Sequence, residues 1–202
     1  MIIGPKYKIC KRLGASVFEK CQTQKFQLAE ARAPRKTRPK RGGRSDYGAQ
    51  LLEKQKARFT YGLSESQFSR YAAEAMEQKG DSALALVSRL ESRLDNVVYR
   101  AGLVKTRRAA RQLVSHGHVV VNGRRMNIPS YMVKAGESVG IRQESRQSPL
   151  FGNRAEAMLE VKAPSWLEMS ADGFSVTQKS APQLGATETP FNAAVIIQFY
   201  SR

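Results

Sequence analysis

Three arginines at the start of one predicted helix are the residues best suited to chemistry in this sequence. Thr106 precedes an apolar helical stripe and is the expected N-cap, which places Arg107 and Arg108 in the first turn and Arg111 one turn after Arg107. Cations beside the free amides and the positive dipole end of a helix cost roughly 0.3–1 kcal/mol, so the helix alone does not favour them. A bound anion reverses the sign, because backbone amides and guanidinium groups both donate hydrogen bonds to phosphate. The pattern indicates a phosphate-binding surface, and the alternative is that these arginines only decorate an exposed helix.

The residue patterns of common enzyme and metal sites are missing from the sequence. It contains neither common glycine-rich phosphate loop and no Gly-x-Ser-x-Gly elbow. His116 and His118 have no carboxylate or thiol ligands beside them in the sequence, and Cys10 and Cys21 supply only half of the ligands of a structural zinc site. We therefore predict no enzyme activity, no catalytic residue, no metal and no cofactor.

The surplus of positive charge is gathered in two segments of the 202-residue chain. Its 34 Lys and Arg against 17 Asp and Glu give a net charge of +17. Residues 1–45 hold 13 of the cations and 2 of the acids, and residues 86–142 hold 11 and 3, whereas residues 46–85 and 143–202 each hold 5 and 6. A soluble protein without a polyanionic partner is expected to intersperse its charges. Two concentrated basic segments therefore predict binding to a polyanion.

The composition excludes several classes of protein. A content of 41% hydrophobic residues is enough to fold, and no run approaches the roughly 18 apolar residues that span a bilayer. The first residues lack the apolar stretch of a secretory signal. Two cysteines cannot form a disulfide scaffold, so we expect an intracellular protein with one or two folded domains.

Apolar spacing predicts four helices before Gly117. The first runs from residue 46 to 59. The second begins after Ser64, whose hydroxyl caps the helix while Gln67 completes a capping box. The third extends from residue 81 to 101 and the fourth from residue 106 to 116, each ended by a glycine.

After Gly117 the period changes from helix to strand. Val119–Val121 and a run from residue 124 to 128 flank Asn122-Gly123, which is the strongest short signal for a β-hairpin. Arg124 and Arg125 follow that turn, so the hairpin tip and the fourth helix are expected to form one basic ridge. Because arginines outnumber side chains suited to reading base edges, the ridge favours recognition of folded RNA through its backbone. Weaker patterns predict strands at residues 138–142, 166–170, 174–178 and 195–200 and a helix at residues 150–161.

These elements predict an α+β fold in four segments. Residues 1–45 form a basic extension that orders on RNA, and residues 46–85 form a mainly helical domain. Residues 86–142 form a helix-helix-β-hairpin RNA-binding module of the kind described next. Residues 143–202 form a short β-containing C-terminal segment that packs back on the helical domain.

Two long stretches resemble the RNA-binding module named after ribosomal protein S-four. They are SRLESRLDNVVYRAG (Ser88–Gly102) and TRRAARQLVSHGHVVVNGRRMNIPS (Thr106–Ser130). The start MIIGPKYKICKRLG, the stretch SDYGAQLLEKQKARFTYGLSESQF and the ending VIIQFYSR are similar to the bacterial-type ribosomal S-four protein family. The resemblance covers nearly the whole chain and is weak from residue 143 to 190. Many relatives carry four cysteines that bind zinc or an iron–sulfur cluster, but this chain has two, so the resemblance implies no metal here.

The resemblance also implies a set of RNA-binding residues. They lie in the basic extension, in the first helix and across the module: Lys6, Lys8, Lys11, Arg12, Arg35, Lys36, Arg38, Lys40, Arg41, Arg44, Tyr47, Lys54, Lys56, Arg58, Arg93, Asn96, Arg100, Thr106, Arg107, Arg108, Arg111, Gln112, His116, Asn122, Gly123 and Arg124.

The function implied by the resemblance is that of a structural constituent of the small ribosomal subunit. Family members are primary binders of small-subunit ribosomal RNA, nucleate assembly of the subunit body and support translational accuracy at the messenger entrance, beside neighbouring small-subunit proteins. We accordingly expect a monomer within a cytoplasmic ribosome, or an organellar one, with no membrane or small-molecule partner. The alternatives are a regulator of its own operon or of antitermination, and an RNA-modifying enzyme anchored by the same module. The roughly 60 residues after Arg142 are too few for a separate catalytic domain.

Overall fold

The computed structural model describes residues 4–32, 45–148, 151, 163–183 and 189–201. The chain divides into two compact units. The first contains the described residues before residue 87 together with those from residue 189 onward, and the second contains the described residues from 87 to 183. This division differs from the expected one, because residues 163–183 belong with the module rather than with the helical domain. Among the described residues, none of the helices has both the length and the apolar character needed to cross a membrane.

The described residues of the first unit contain helices and no strand. Its helices are α1 (Lys6–Leu13), a 3-10 turn (Glu19–Gln22), α2 (Gln24–Arg32), α3 (Asp46–Tyr61), α4 (Glu65–Met76), the first half of α5 (Ser82–Glu91) and a last helix called α9 (Ala193–Tyr200). Ser64 caps α4 by accepting a hydrogen bond from the Gln67 amide at 3.3 Å, whereas the Gln67 side chain bonds to Tyr71 instead of returning to the cap.

The prediction of a strand at residues 195–200 is wrong. Those residues lie in α9, where the Asn192 side chain accepts hydrogen bonds from the amides of Ala194 and Val195. The β-branched run Val195-Ile196-Ile197 favours a strand locally. Packing of α9 on α3 and α4 overrides that preference and buries Ile196 completely.

Residues 6–32, which the sequence predicts to be part of a basic extension that orders on RNA, contain α1, the 3-10 turn and α2. α1 ends at Gly14, which has a left-handed φ of 65°, and the chain then folds back through the 3-10 turn. A small apolar cluster forms around Cys10, Phe18, Cys21 and Phe26. Cys10 and Cys21 are paired there as a disulfide, although their spacing alone does not distinguish a bonded pair from two buried thiols. Residues 33–44, with most of the basic run, lie outside the described residues.

The second unit begins with two helices where the sequence predicts one. α5 ends at Glu91 and α6 (Leu94–Arg100) starts after a break at Ser92 and Arg93. Arg93 is extended, with φ −64° and ψ 138°, and forms an isolated β-bridge with Met132. Because Val133 donates to the Ser92 carbonyl at 2.8 Å, the backbone bonds of a continuous helix are replaced by bonds to a distant segment.

α7 (Arg107–Ser115) is followed by an antiparallel sheet of five strands in the order β2-β1-β3-β5-β4. The strands are β1 (Val119–Val121), β2 (Arg124–Met126), β3 (Ser138–Ile141), β4 (Leu167–Met169) and β5 (Ser175–Gln178), with a short α8 (Gln143–Arg146) after β3. Asn122 and Gly123 have φ values of 48° and 76°, as the predicted hairpin turn requires. Strand pairing of β3 with β5, such as Val139 opposite Val176, is what joins residues 163–183 to the module. The predicted helix at residues 150–161 lies almost entirely outside the described residues.

The core of the second unit lies between α6, α7 and the sheet. Its fully buried members include Leu94, Val98, Val114, Val119 and Val139. The combination of helices and a small antiparallel sheet confirms the predicted α+β class.

Candidate nucleic-acid interface

α7 presents two different faces. Ala110, Leu113 and Val114 are buried against the core, while Arg108 and Gln112 are exposed. The Thr106 hydroxyl accepts a hydrogen bond from the Ala109 amide at 3.0 Å. That bond fixes the first turn and leaves its arginines at the positive end of the helix, as the sequence predicts.

The Glu91 carboxylate, although fully buried, organises one half of a charged network next to α7. Arg100 donates to both of its oxygens, from Nε at 2.7 Å and from Nη2 at 3.0 Å. The Asn96 amide donates to Glu91 Oε2 at 2.7 Å, and its oxygen accepts from Arg107 Nε at 2.7 Å. Arg107 also stacks over the Tyr99 ring at 4.3 Å. Glu91 therefore holds Arg100 directly and Arg107 through Asn96. These bonds offset the cost of burying the Glu91 charge.

Asp95, 4% exposed, organises the other half of the network. Arg93 donates to it from Nε at 3.1 Å and from Nη2 at 2.9 Å. Arg111 donates to Asp95 Oδ2 from Nε at 2.9 Å and from Nη2 at 2.7 Å. The four arginines Arg93, Arg100, Arg107 and Arg111, which we call the arginine cluster, thus share two buried carboxylates.

The arginine cluster has a net positive charge, and three of its side chains are partly exposed. Four guanidinium groups face two carboxylates in this network, and the side chains of Arg100, Arg107 and Arg111 are 21%, 21% and 32% exposed. Arg93, by contrast, is 2% exposed and lies inside the unit rather than on the surface where the sequence placed it. Asn96 is buried in the same way.

The hairpin supplies further exposed cations. Arg124 and Arg125 are both exposed on β2. Arg125 Nη2 donates to the His116 carbonyl at 3.4 Å, at the C-terminal end of α7. Its guanidinium lies over Gly117, where a Cβ atom would collide with it. A cation at this end of the helix is favoured by the dipole.

Among the remaining predicted residues of the module, some make structural hydrogen bonds and others are exposed. Asn122 Oδ1 accepts from the Ser138 amide at 2.9 Å, which ties the hairpin turn to β3. His116 is exposed, and His118 Nδ1 shares a 2.9 Å hydrogen bond with Ser145. Within the described ranges, no group of three or more His, Cys, Asp or Glu side chains is placed to hold a metal ion.

In the first unit, three predicted RNA-binding cations have acidic partners. Lys54 donates to Glu65 at 2.7 Å and Arg58 at 2.9 Å, and Lys56 donates to Glu53 at 2.6 Å. The Lys54 side chain is 8% exposed. It therefore lies inside the unit and not on the surface where the sequence placed it.

Glu65 is the centre of this second network. Burial acts to raise its pKa, but hydrogen bonds from Lys54, Tyr200 and Arg58 lower the pKa below its ordinary value of 4.5. Burial and the bond to Glu65 together raise the pKa of the Tyr200 phenol. The network joins α3, α4 and α9 through one carboxylate.

The other predicted residues of the first unit lie on its surface. Lys8, Lys11 and Arg12 are exposed on α1, while Lys6 lies over the Phe18 ring at 5.6 Å. Tyr47 is 53% exposed, with its ring 5.6 Å from that of Phe199. The predicted cations from Arg35 to Arg44 lie outside the described residues.

Glu91 and Asp95 are the members of this charged network that sequence reasoning missed. In the count of charges, these two acids only lower the net positive charge of residues 86–142. A signal was present, because two acids flanked by Arg89, Arg93 and Arg100 within predicted apolar helices have few ways to be satisfied except by those arginines.

Two family models match consecutive parts of the chain. The ribosomal protein S4/S9 N-terminal domain matches residues 1–91, and the S4 domain matches residues 92–139. The second match contains α6, α7, the arginine cluster and the hairpin. These matches place the chain among ribosomal proteins.

Curated relatives are similar over almost their whole length. The small ribosomal subunit protein uS4 of Roseiflexus castenholzii is 44% identical over 202 residues, covering 99% of this chain and 98% of the relative. That of Chloroflexus aurantiacus is 42% identical with the same coverage, and that of Persephonella marina is 43% identical over 98% of each chain. The chain belongs to the uS4 family of small ribosomal subunit proteins, which confirms the resemblance found in the sequence.

Proposed function

We propose that this chain is a structural constituent of the small ribosomal subunit that binds small-subunit ribosomal RNA. The observation that carries the proposal is the cationic start of α7 within the segment that matches the S4 domain. Arg108 is exposed there, and Arg100, Arg107 and Arg111 keep exposed edges beside it. Guanidinium groups at the positive end of a helix suit phosphate oxygens.

The kind of RNA that fits is a folded one, recognised through its backbone. The exposed cations of the module, which include Arg108, Arg124 and Arg125, suit phosphate oxygens. Structured RNA is recognised mostly through phosphates, 2′-hydroxyls and shape. If about 6–10 phosphates are neutralised, affinity should fall by roughly 10³–10⁵ between about 50 and 200 mM salt.

The finer role follows from the family rather than from the site. We infer that the protein binds early, nucleates assembly of the subunit body and supports translational accuracy near the messenger entrance, as one copy beside neighbouring small-subunit proteins. In a bacterium the ribosome lies in the cytoplasm. We propose no catalytic role.

Footprinting tests the proposal directly. The full chain is bound to a transcript of the 5′ domain of small-subunit ribosomal RNA, and protected riboses are mapped with and without protein at several salt concentrations. We expect a compact protected junction and a steep loss of affinity with salt. Equal affinity for an unrelated folded RNA, or an affinity independent of salt, would overturn the proposal. Washed small subunits should retain the protein near one copy each, whereas a dedicated regulator would wash off.

A further inference from the structure

Apolar packing gives no reason for the burial of the Glu91 carboxylate in the second unit. Glu91 is the last residue of α5 and 0% exposed. A carboxylate at that position opposes the helix dipole, and a buried charge is costly unless it is paired and hydrogen-bonded. The segment thus carries a residue that is unfavourable both by its place in the helix and by its burial.

The partners of Glu91 and Asp95 resolve this cost. Glu91 accepts from Arg100 and Asn96, and Asp95 accepts from Arg93 and Arg111. These partners come from the break after α5, from α6 and from α7. The two carboxylates therefore join three consecutive segments at the start of α7.

The same bonds restrain the long side chains nearest the proposed RNA. Arg100 and Arg111 each donate two hydrogen bonds to one carboxylate. Arg107 is restrained by Asn96 on one side and the Tyr99 ring on the other. A planar guanidinium held in this way has one orientation rather than many.

We propose that Glu91 and Asp95 are positioning residues for RNA binding. They fix Arg100, Arg107 and Arg111, and with them the first turn of α7, before the RNA arrives. This inference rests on the proposed function. Ordering a flexible side chain during binding costs affinity by about 2- to 12-fold for each one, and the carboxylates remove that cost in advance.

The inference makes a prediction opposite in sign to simple charge attraction. Glu91→Gln removes a negative charge and raises the net charge by one, so attraction alone predicts equal or tighter binding to RNA. Positioning predicts weaker binding, because Arg100 loses its carboxylate and Arg107 loses the restraint transmitted through Asn96. The two accounts are thus separated by the direction of the change.

The experiment compares Glu91→Gln and Asp95→Asn with Glu168→Gln in the full chain. Glu168 lies in the same unit, is 58% exposed and pairs with Lys179 at 3.1 Å, so its change matches the charge without touching the cluster. Dissociation constants are measured for the 5′-domain transcript and for polyuridylate over a range of salt. We expect Glu91→Gln to bind the transcript about 10-fold more weakly or worse, with a smaller loss on polyuridylate. Glu168→Gln should bind as the parent or slightly tighter.

A charge-conserving variant keeps the test valid if Glu91→Gln does not fold. Arg111→Lys preserves the charge and leaves Asp95 ionised but removes the planar two-donor contact. Circular dichroism and thermal unfolding report whether each variant is folded. We expect several-fold weaker transcript binding by folded Arg111→Lys. Parent-like binding by either folded variant overturns the positioning role, whereas failure of the parent chain to bind the transcript overturns the proposed function itself.

Discussion

Replacing Glu65 with glutamine should destabilise the first unit by more than the loss of a surface ion pair. The Glu65 carboxylate accepts from Lys54 at 2.7 Å, Arg58 at 2.9 Å and Tyr200 at 2.8 Å, and so joins α3, α4 and α9. The Lys54 ammonium, 8% exposed and 4.4 Å from the Phe199 ring centroid, has little water to replace its carboxylate.

The magnitude follows from the number and setting of these bonds. Hydrogen bonds to charged groups contribute about 1.5–3 kcal/mol each. Glutamine retains one acceptor, and the Glu65 side chain is 44% exposed, so solvent screening reduces the loss. We expect the free energy of unfolding to fall by about 2–3 kcal/mol in Glu65→Gln.

Urea unfolding of the full chain at neutral pH measures this loss. The matched control is Glu74→Gln in the same helix. Glu74 Oε1 lies 3.8 Å from Arg70 Nε, and the side chains of Arg70 and Glu74 are 63% and 37% exposed. The control should lose no more than about 0.5 kcal/mol. Equal effects of the two substitutions would refute the view that Glu65 is the link between the three helices.

The pH dependence of the same variant gives a second test. The pKa of Glu65 is lower in the folded chain than its ordinary value of 4.5. Its ionised form therefore stabilises the fold above that value, and the stabilisation disappears as pH falls through the lowered folded pKa. The difference in unfolding free energy between the parent and Glu65→Gln should be full at pH 6–7 and should shrink in acid below about pH 4.5. A constant difference down to the acid limit would contradict this assignment.

Substitutions at four further positions test the second unit. Gly117→Ala and Gly136→Ala, with φ values of 74° and 88°, should each destabilise the fold by about 1–2 kcal/mol. Only Gly117→Ala displaces Arg125, so only this variant should also lower the affinity for RNA. Equal RNA affinities of the two variants would show that Arg125 is not part of the interface. Thr106→Ala should cost about 1 kcal/mol in chemical unfolding because the Ala109 amide loses its cap, and Thr106→Ser should restore the stability. Asn122→Ala should destabilise the hairpin by about 1–3 kcal/mol, since it loses the bond to Ser138 in a left-handed turn, and parent-like stability would show that this bond contributes nothing.

Local patterns in the sequence were sufficient for elements that are stabilised by their own residues. The cap at Thr106, the Asn122-Gly123 turn and the stripe of α7 each depend on neighbours a few positions away, and each is present as predicted. The same holds for the predicted strands at residues 166–170 and 174–178, which correspond to β4 and β5. The family also followed from the sequence, because the arginine-rich stretch around α7 is distinctive.

Elements that depend on distant partners were predicted less well. The break at Arg93 exists because residues 131–133 offer backbone bonds that a continuous helix would exclude. The last helix forms against α3 and α4 in spite of its β-branched run. In both places tertiary contacts outweigh a local preference that is small per residue.

The sequence by itself determined that this chain is a basic α+β protein of the uS4 family, with its arginines concentrated around one helix. Only the tertiary structure decided which cations reach the surface. Charge counts treat Arg93, Lys54 and Arg108 alike, yet the first two are buried beside carboxylates and the third is exposed. The physical reason is that a buried charge needs an oppositely charged partner nearby. Helix packing brings Asp95 to Arg93 and Glu65 to Lys54.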